Sequence, residues 1–294
     1  MSVFNKVAPI VTVIVVSADS GEALRECVRG VLAWSLPLEL LLIDNGSADG
    51  VPQALNRANI DDARLQVIYN RANLGFGPAV NRAAARARSE TLLILNPDCQ
   101  LGEVAARRLL EVLAAQPRAG LVGAVTCDAA GVPDPASLRR DPLLRRALNA
   151  LLGRTRDAVN AEGALPDHVV EAEAVSGALM VLPRALFEDL HGFDEAYFLH
   201  CEDLDLCRRV RDAGWRVLLV GDVRVMHGRG GSSAHRPVFV SRHKHRGMWR
   251  WFRKFDPAAR NPLLAAVVWL GIWTHFVLQI PGQLWRLRGA SGRS

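Results

Sequence analysis

The stretch Val11-Thr-Val-Ile-Val-Val16 decides the fold, and the stretches Leu38-Glu-Leu-Leu-Leu-Ile43 and Thr91-Leu-Leu-Ile-Leu95 repeat its character. Nearly continuous apolar runs of this length are typical of strands that are covered on both faces. The segment Gly21–Leu32, between the first two runs, carries apolar residues at helical spacing. Strands that alternate with helices in this way predict an α/β fold with a mostly parallel sheet and right-handed crossovers.

The same patterns place further elements along the chain. They predict helices at 51–59, 79–88, 101–116 and 203–213, and strands at 65–69, 119–125, 175–181, 215–220 and 223–226. Residues 128–170 are less regular, and we expect an insertion or lid there because long irregular segments are often functional.

Polar residues stand where two of the predicted strands end. Asp44 follows the second apolar run, and the stretch Asn96-Pro-Asp98 follows the third. Ligands of parallel sheets bind beyond the carboxyl ends of the strands, so both groups should face one crevice. A carboxylate such as Asp98 suits a hard divalent ion, Mg²⁺ or Mn²⁺, that also holds a substrate diphosphate. Simple turn caps would explain the same residues, and the pattern alone leaves both interpretations open.

Three carboxylates, Glu202, Asp203 and Asp205, crowd into four positions where a helix is predicted to begin. They are either acids that favour a helix N-terminus or a catalytic group, with Asp203 as a general base and Glu202 beside it. His227 follows a predicted strand and precedes a glycine-rich segment. A histidine in that position suits a metal or a phosphate, although a lone histidine is more often structural.

The formal net charge of +6 conceals an asymmetry between the body and the tail of the chain. Residues 241–294 carry ten basic residues and one acid, so residues 1–240 sum to −3. Five of the seven tryptophans lie between Trp249 and Trp285, around an apolar run at 263–280. Basic residues and tryptophans beside an apolar helix predict contact with a membrane surface through 242–288. The helix would lie in the interface, pack on the protein or a second subunit, or span the bilayer, and a homodimer stays open.

Composition also argues about partners and compartment. The basic charge stands next to an apolar helix rather than in a recognised reading motif, so we expect no nucleic-acid partner. Five scattered cysteines argue against a disulfide framework and for a reducing cytosol. The apolar run near the amino terminus is too short for a convincing secretory signal. We therefore expect a cytoplasmic protein that is peripheral at the cytoplasmic face of the inner membrane.

Taken in order, several motifs resemble those of family 2 glycosyltransferases and, within them, the rhamnosyltransferase-type branch. The resemblance covers about residues 8–255. The motifs are Ile-Val-Val-Ser at 14–17, Ile-Asp-Asn-Gly-Ser at 43–47, Asn-Leu-Gly-Phe at 73–76, Leu-Asn-Pro-Asp at 95–98, Val-Ser-Gly-Ala at 175–178, Gly-Phe-Asp-Glu at 192–195 and Phe-Leu-His-Cys-Glu-Asp-Leu-Asp-Leu-Cys at 198–207.

This resemblance implies a GT-A fold in residues 1–255, a nucleotide-sugar donor, a divalent metal and inversion at the anomeric carbon, with 256–294 as a basic helical tail. The implied site residues fall into four groups. They are Asp203 as the base with Glu202 beside it; Ser17, Asp19, Asp44, Asn73, Gly75, Asn96 and Asp98 on the donor; Ser176 and Gly177 on the acceptor side; and Asp98 and His227 on Mg²⁺ or Mn²⁺.

The sequence departs from the family pattern at three places. Asn96 stands where many relatives carry Asp, Ala18-Asp19 replaces a common Tyr-Asn, and Pro78-Ala79-Val80 replaces a glycine-rich continuation. The Gln-x-x-Arg-Trp motif of processive synthases is absent from residues 235–251, which favours transfer of a single sugar.

The resemblance leads to a specific expectation of function. We expect rhamnose to be transferred from dTDP-rhamnose to a lipid-linked or cell-surface glycan, with a polyprenyl-diphosphate-linked acceptor explaining the membrane-facing tail. A UDP- or GDP-sugar donor is an alternative, and so is a non-catalytic nucleotide-sugar-binding protein on the same fold.

Overall fold

The computed structural model describes residues 8–151, 159–160, 164–228 and 236–291, and the fold below is that of these residues. The strands are β1 Val11–Ser17, β2 Leu38–Asp44, β3 Leu65–Tyr69, β4 Thr91–Leu95, β5 Cys99–Gln100, β6 Ala119–Cys127, β7 Leu138–Arg139, β8 Val169–Glu171, β9 Ala174–Val175, β10 Leu179–Pro183 and β11 Arg216–His227. The α-helices are α1 Gly21–Leu32, α2 Val51–Ala58, α3 Phe76–Ala84, α4 Glu103–Ala115, α5 Leu144–Leu151, α6 Arg184–Asp189, α7 Glu202–Asp212, α8 Pro237–Phe255 and α9 Pro262–Ser291.

The main sheet is mixed and mostly parallel, as the alternation of strands and helices predicts. Its order is β3-β2-β1-β4-β10-β6-β11-β5, and β8 pairs with β11 beside that path. Strands β1 to β4 are parallel, β10 is antiparallel to both β4 and β6, and β11 is parallel to β6. The carboxyl ends of β1, β2, β4, β6 and β11 therefore meet at one edge, where a ligand cavity is expected.

Strand β1 shows why the sheet is covered on both faces. Val11, Val13 and Val15 pack in a hydrophobic cluster with residues of α1 and α4, whereas Ile14 and Val16 pack in a second cluster with residues of α3 and α7. Because successive side chains point to opposite faces, a strand that is apolar at nearly every position needs a helix layer on each side.

The predicted strand at 175–181 is wrong, because the chain breaks it into β9 and β10. The three residues between the two strands turn their polar groups towards neighbours. The amide of Gly177 donates to Asp203 Oδ2 at 3.0 Å, and the carbonyl of Ala178 accepts from the amide of Asn96 at 2.9 Å. The Ala178 bond continues the antiparallel ladder between β4 and β10, whereas the Gly177 amide points away from that ladder to Asp203, so the interruption serves this contact.

Three further boundaries differ from the prediction. Helix α3 runs from Phe76 to Ala84 rather than over 79–88, since Gly75 at φ +94° ends the preceding loop. The strands predicted at 215–220 and 223–226 are one strand, β11, with a register shift between Val220 and Arg224. The irregular segment 128–170 contains helix α5, whose first amide, that of Leu144, donates to Asp256 Oδ2 at 2.6 Å. Residues 152–158 and 161–163 of that segment lie outside the described residues.

Helices α8 and α9 form the carboxyl-terminal hairpin of the described chain. His245 Nε2 and His275 Nδ1 lie 3.0 Å apart, and Ser241 Oγ lies 3.5 Å from Gln279 Oε1. The segment Pro262–Trp285 of α9 is long and apolar enough to cross a membrane, and only 6% of it is buried. Leu263, Leu270 and Leu278 all point into solvent. The predicted apolar run is therefore a helix, and it packs on α8 along one side only.

Candidate active site

A cavity of about 580 Å³ opens at the carboxyl ends of the central strands. The ends of β1 and β4, the loops before α3 and after β9, and the first turns of α7 and α8 form its walls. Ten of the predicted site residues line it together: Asp19, Asn73, Gly75, Asn96, Asp98, Ser176, Gly177, Glu202, Asp203 and His227. Residues more than 200 positions apart in sequence thus share one cavity.

Two predicted donor residues, Ser17 and Asp44, do not line the cavity. Both are buried at the ends of β1 and β2. Asp44 Oδ1 accepts from the amide of Ser47 at 2.8 Å, and Asp44 Oδ2 accepts from Gln53 Nε2 at 3.0 Å. In the described structure Asp44 therefore holds the start of α2 in place, and its predicted contact with a donor base stays a prediction.

Asp19 lies at the rim of the cavity in a left-handed backbone conformation, with φ +57°. Asp19 Oδ1 accepts from the amides of Ala48 and Asp49 at 2.6 and 3.2 Å. The loop after β1 is in this way tied to the loop after β2 at this edge of the cavity.

Asn45 is a residue of the site that sequence reasoning did not assign. It is buried, and its side chain lines the cavity. Asn45 Nδ2 donates to Asn73 Oδ1 at 2.9 Å and to the carbonyl of Gly75 at 3.0 Å, while Asn45 Oδ1 accepts from the amide of Leu74 at 3.1 Å. One amide side chain thus fixes the loop at 73–75. Its place directly after Asp44 at a strand end was the available signal.

Gly75 joins the donor loop to the opposite wall of the cavity. Its φ of +94° favours glycine, and a Cβ atom there would lie 2.6 Å from the carbonyl oxygen of Phe198. The amide of the next residue, Phe76, donates to that same carbonyl at 3.0 Å. The close approach of backbone at this glycine is thus made to the protein itself, and its predicted contact with the donor stays a prediction.

Asp98 and His227 form the part of the site that suits a divalent ion. Strand β5 pairs with β11 so that Cys99 lies opposite His227, and the amide of Gly228 donates to the carbonyl of Asp98 at 2.9 Å. Asp98 Oδ1 consequently lies 3.3 Å from His227 Nε2. The glycine-rich segment that follows lies outside the described residues from position 229 onward.

The donor set at this position fits a metal that prefers oxygen and imidazole ligands. Asp98, Cys99 and His227 each have a ligand atom within 4.8 Å of the others. The Cys99 thiol is buried and faces the carbonyl of Ala178 at 3.6 Å, and burial together with the charge of Asp98 raises its pKa well above the ordinary value. A protonated thiol is a poor ligand, so one carboxylate and one imidazole remain, which suits Mg²⁺ or Mn²⁺ with a diphosphate completing the shell.

Asp203 lies in the first turn of α7 with its carboxylate surrounded by donors. Oδ1 accepts from the amide of Leu204 at 2.8 Å, and Oδ2 accepts from the amide of Gly177 at 3.0 Å. Oδ2 also forms a short ion pair with the guanidinium of Arg139, which in turn donates to the carbonyl of Val175 at 2.8 Å. Since each carboxylate oxygen has two lone pairs, Oδ2 is fully engaged and Oδ1 keeps one acceptor site.

Arg139 is the second site residue that sequence reasoning missed. It lies in β7, within the segment predicted as an insertion or lid, and β7 pairs with β9. Burial by itself raises the pKa of the Asp203 carboxyl. The charge of Arg139 and the hydrogen bonds that the carboxylate accepts outweigh this effect, and they lower the pKa below its ordinary value. Asp203 is therefore an ionised, proton-accepting group at neutral pH.

The pKa of Glu202 is shifted in the opposite direction to the pKa of its neighbour, Asp203. Its side chain is buried, and its Oε2 accepts no hydrogen bond within the described part of the chain. Burial and the adjacent charge of Asp203 raise the pKa of Glu202. Neighbouring carboxyls whose pKa values are pushed apart are typical of acid–base sites, and here the ionised partner is Asp203.

Comparison with known proteins places this site in a familiar context. Residues 8–251 match the family described as glycosyltransferase-like family 2. The chain is 29% identical over 287 residues to the N-acetylglucosaminyl-diphospho-decaprenol L-rhamnosyltransferase of Mycobacterium tuberculosis, covering 87% of this chain and 92% of that protein. It is 25% identical over 218 residues to rhamnosyltransferase WbbL of Escherichia coli, covering 64% of this chain and 82% of the relative.

Solved structures agree on the fold. The mannosyltransferase PcManGT from Pyrobaculum calidifontis, in complex with GDP-Man and Mn²⁺, superimposes with a TM-score of 0.61 at 21% identity, over 98% of this chain and 76% of that one. Residues 1–349 of Staphylococcus aureus TarS, in complex with UDP-GlcNAc, give a TM-score of 0.55 at 15% identity, over 94% and 83% of the two chains. These likenesses confirm the predicted GT-A architecture.

The ion pair between Arg139 and Asp203 generates a testable pH dependence. If Asp203 is the base that the resemblance implies, activity is present above the pKa of its carboxyl and is lost as the pH falls through that value. In Arg139→Gln, burial of Asp203 is no longer opposed by a cation, so its pKa rises and the acidic limb of the kcat/KM profile moves to higher pH by about one unit or more.

A matched control lies in the same segment of the chain. Arg146 forms a buried ion pair with Glu173 at 2.6 Å and does not line the cavity. Arg146→Gln should change stability without moving the acidic limb. Equal pH profiles for the two variants, measured as initial rates from pH 4 to 9, would show that Arg139 does not tune Asp203.

Proposed function

Since this chain belongs to glycosyltransferase family 2, we propose that it is an inverting enzyme that transfers one rhamnosyl group from dTDP-rhamnose to a hydroxyl of a polyprenyl-diphosphate-linked glycan. The observation that carries the proposal is the division of the cavity. Asp98 and His227 lie together, where they would hold a metal and the diphosphate, and the ionised Asp203 lines the same cavity from α7, where it would act as the base. The rhamnosyltransferase relatives support the sugar.

The proposed reaction is a direct displacement at the anomeric carbon. The oxygen of the acceptor hydroxyl bonds to the anomeric carbon. At the same time the hydroxyl gives its proton to Asp203 Oδ1, the carboxylate oxygen with a remaining lone pair. The bond between the anomeric carbon and the donor diphosphate breaks, and the nucleoside diphosphate leaves. Arg139 and the amide of Gly177 hold the carboxylate in position, which supplies much of the rate through orientation.

Asp98 and His227 are the residues that would hold a divalent cation, whose chemistry is to neutralise charge that develops on the leaving diphosphate. Asn96 lies beside them, with its Nδ2 3.5 Å from His227 Nε2. An amide at this position adds no charge, so the site keeps a single carboxylate. This donor set leaves room for the phosphate oxygens of the donor in the metal shell.

The tail supports a membrane-proximal role. The mycobacterial relative is named for a decaprenol-linked acceptor. Helix α9 exposes a large apolar surface, and it follows α8, which carries Arg242, Lys244 and Arg246. Such a surface is stable in a bilayer or its interface and costly in water. We propose that the enzyme acts at the cytoplasmic face of the membrane, held there by α9.

The proposal is tested by a donor panel. Purified protein with Mn²⁺ and N-acetylglucosaminyl-diphospho-decaprenol is incubated with dTDP-rhamnose, UDP-sugars or GDP-sugars, and the product mass is measured. We expect one added deoxyhexose with dTDP-rhamnose.

Asp203→Asn should lower kcat roughly 10²- to 10⁴-fold while nucleotide affinity persists. Near-normal turnover in that variant would exclude Asp203 as the base. In the donor panel, transfer from another nucleotide sugar would show that the proposed donor, dTDP-rhamnose, is wrong.

The metal end predicts a separate result in binding. Asp98→Asn removes the one carboxylate of the proposed ion site, so nucleotide diphosphate should bind equally with and without Mn²⁺, whereas the wild-type protein should bind it roughly tenfold or more tightly with the ion. Calorimetric titration measures this without any turnover. Asp134→Asn, which changes another cavity carboxylate, serves as the control and should keep the Mn²⁺ dependence.

The membrane proposal predicts where the protein is found after cell fractionation. Leu270 and Leu278 are 62% and 73% exposed on α9, so Leu270→Lys with Leu278→Lys should leave the fold intact. Each lysine opposes burial in lipid by about 3 kcal/mol near a bilayer centre, and the double variant should become soluble. Val104→Lys, at an 84% exposed position on α4, should stay with the membranes. A double variant that still pellets would favour packing on a second subunit, which gel filtration would reveal.

A further inference from the structure

Three aromatic rings pack together on the wall of the cavity that α8 contributes. The ring centroids of Phe239 and His243 lie 4.4 Å apart, those of Phe198 and His243 lie 4.5 Å apart, and those of Phe198 and Phe239 lie 5.6 Å apart. Phe198 and Phe239 both line the cavity, and Phe239 remains 41% exposed. The proposed transfer step uses none of these rings.

The spacing of residues on α8 places cations beside the rings. Phe239 and His243 are four residues apart on the helix, as are Val240 and Lys244, so the two pairs form adjoining rows on one side. Arg236, directly before α8, lines the cavity. Lys244 follows Val240, which also lines the cavity, by about one helical turn, so the spacing along α8 places Lys244 beside that wall.

The third ring acts as a neutral aromatic group at physiological pH. Burial and the neighbouring charges of Arg242 and Arg246 lower the pKa of His243. A neutral imidazole packed against both phenyl rings extends their apolar surface and adds no charge to it. The ring cluster is thus a partly exposed, uncharged patch, with Arg236 and Lys244 on the same stretch of chain.

The same stretch of α8 also carries the apolar helix. Ser241 and His245, which alternate in sequence with the residues of the ring cluster, contact Gln279 and His275 of α9. One face of α8 therefore borders the reaction cavity and another holds α9. A substrate whose lipid lies in the bilayer beside α9 would bring its head group to the cavity along α8.

We propose that Phe198, Phe239 and His243 form a stacking platform for the sugar ring of the acceptor, and that Arg236 and Lys244 bind the diphosphate that joins this sugar to its lipid. The inference rests on the proposed function and adds the residues that recognise its acceptor. One face of a pyranose carries C–H groups, which are attracted to the negative face of an aromatic ring. Guanidinium and ammonium groups are the usual partners of phosphate oxygens.

The test separates the rings from the cations by using two acceptors. Full-length protein in detergent micelles is assayed with dTDP-rhamnose and either N-acetylglucosaminyl-diphospho-decaprenol or octyl N-acetylglucosaminide, which lacks phosphate. Phe239→Leu should raise the KM for both acceptors roughly three- to tenfold, and Phe239→Tyr, which keeps the ring, should restore it. The affinity for dTDP should not change, because the proposed platform binds the acceptor sugar and not the donor nucleotide.

Removal of the two cations should affect the two acceptors differently. Arg236→Gln with Lys244→Gln should raise the KM for the diphosphate acceptor on the order of tenfold or more and leave the KM for the phosphate-free acceptor unchanged. Arg260→Gln is the control, because it removes one of the basic charges of the same part of the chain at an exposed position before α9 and away from the cavity. It should leave the KM for both acceptors within twofold of wild type.

The outcomes distinguish this inference from the proposed function. If wild-type protein transfers rhamnose but Phe239→Leu and the cation variant match Arg260→Gln, the platform is wrong and the proposed function stands. A loss of kcat with unchanged KM would likewise overturn the platform, since it would indicate a structural effect on the site. If wild-type protein transfers to neither acceptor, the proposed acceptor is wrong, and the platform assigned to it is wrong as well.

Discussion

The buried carboxylate of Asp203 is the constraint on which the rest of the site depends. A charge removed from water is stable only where opposite charge and hydrogen-bond donors surround it. The chain supplies these from three places: the amide of Leu204 in α7, the amide of Gly177 in the break between β9 and β10, and the guanidinium of Arg139 in β7. Gly177 has no side chain to intervene, and a Cβ atom there would lie 3.0 Å from Oδ2.

The break between β9 and β10 and the position of the predicted insertion at 128–170 have the same cause, which is the need of Asp203 for partners. A continuous strand through Ser176 would direct its amides into a ladder, and Asp203 would lose one donor. Strand β7 pairs with β9, which brings Arg139 to the same carboxylate. The segment that looked irregular in sequence is therefore part of the cavity wall, and its contribution is electrostatic as much as steric.

The two ends of the cavity are joined by a short series of side-chain and backbone contacts. Asn45 holds the loop at 73–75, and the amide of Phe76 holds the carbonyl of Phe198 on the other wall. Phe198 in turn packs against the first turns of α8, which carries α9. A continuous set of contacts thus runs from the loop at 73–75 to the apolar helix, so the cavity and the exposed apolar surface of α9 keep a defined relation.

The sequence by itself determined the α/β class, most strand positions, the polar groups at strand ends and the apolar tail, because these follow from local periodicity. Val11 to Val16 is apolar at nearly every position and so requires cover on both faces, whatever the rest of the chain does. Only the tertiary structure decided that Arg139 reaches Asp203 across 64 residues, that Asn45 holds a loop about 30 residues away, and that Phe239 meets Phe198. Those pairings depend on how the layers pack and on which buried charge needs a partner. Neither of these leaves a periodic pattern along the chain, so neither can be seen in a local stretch of sequence.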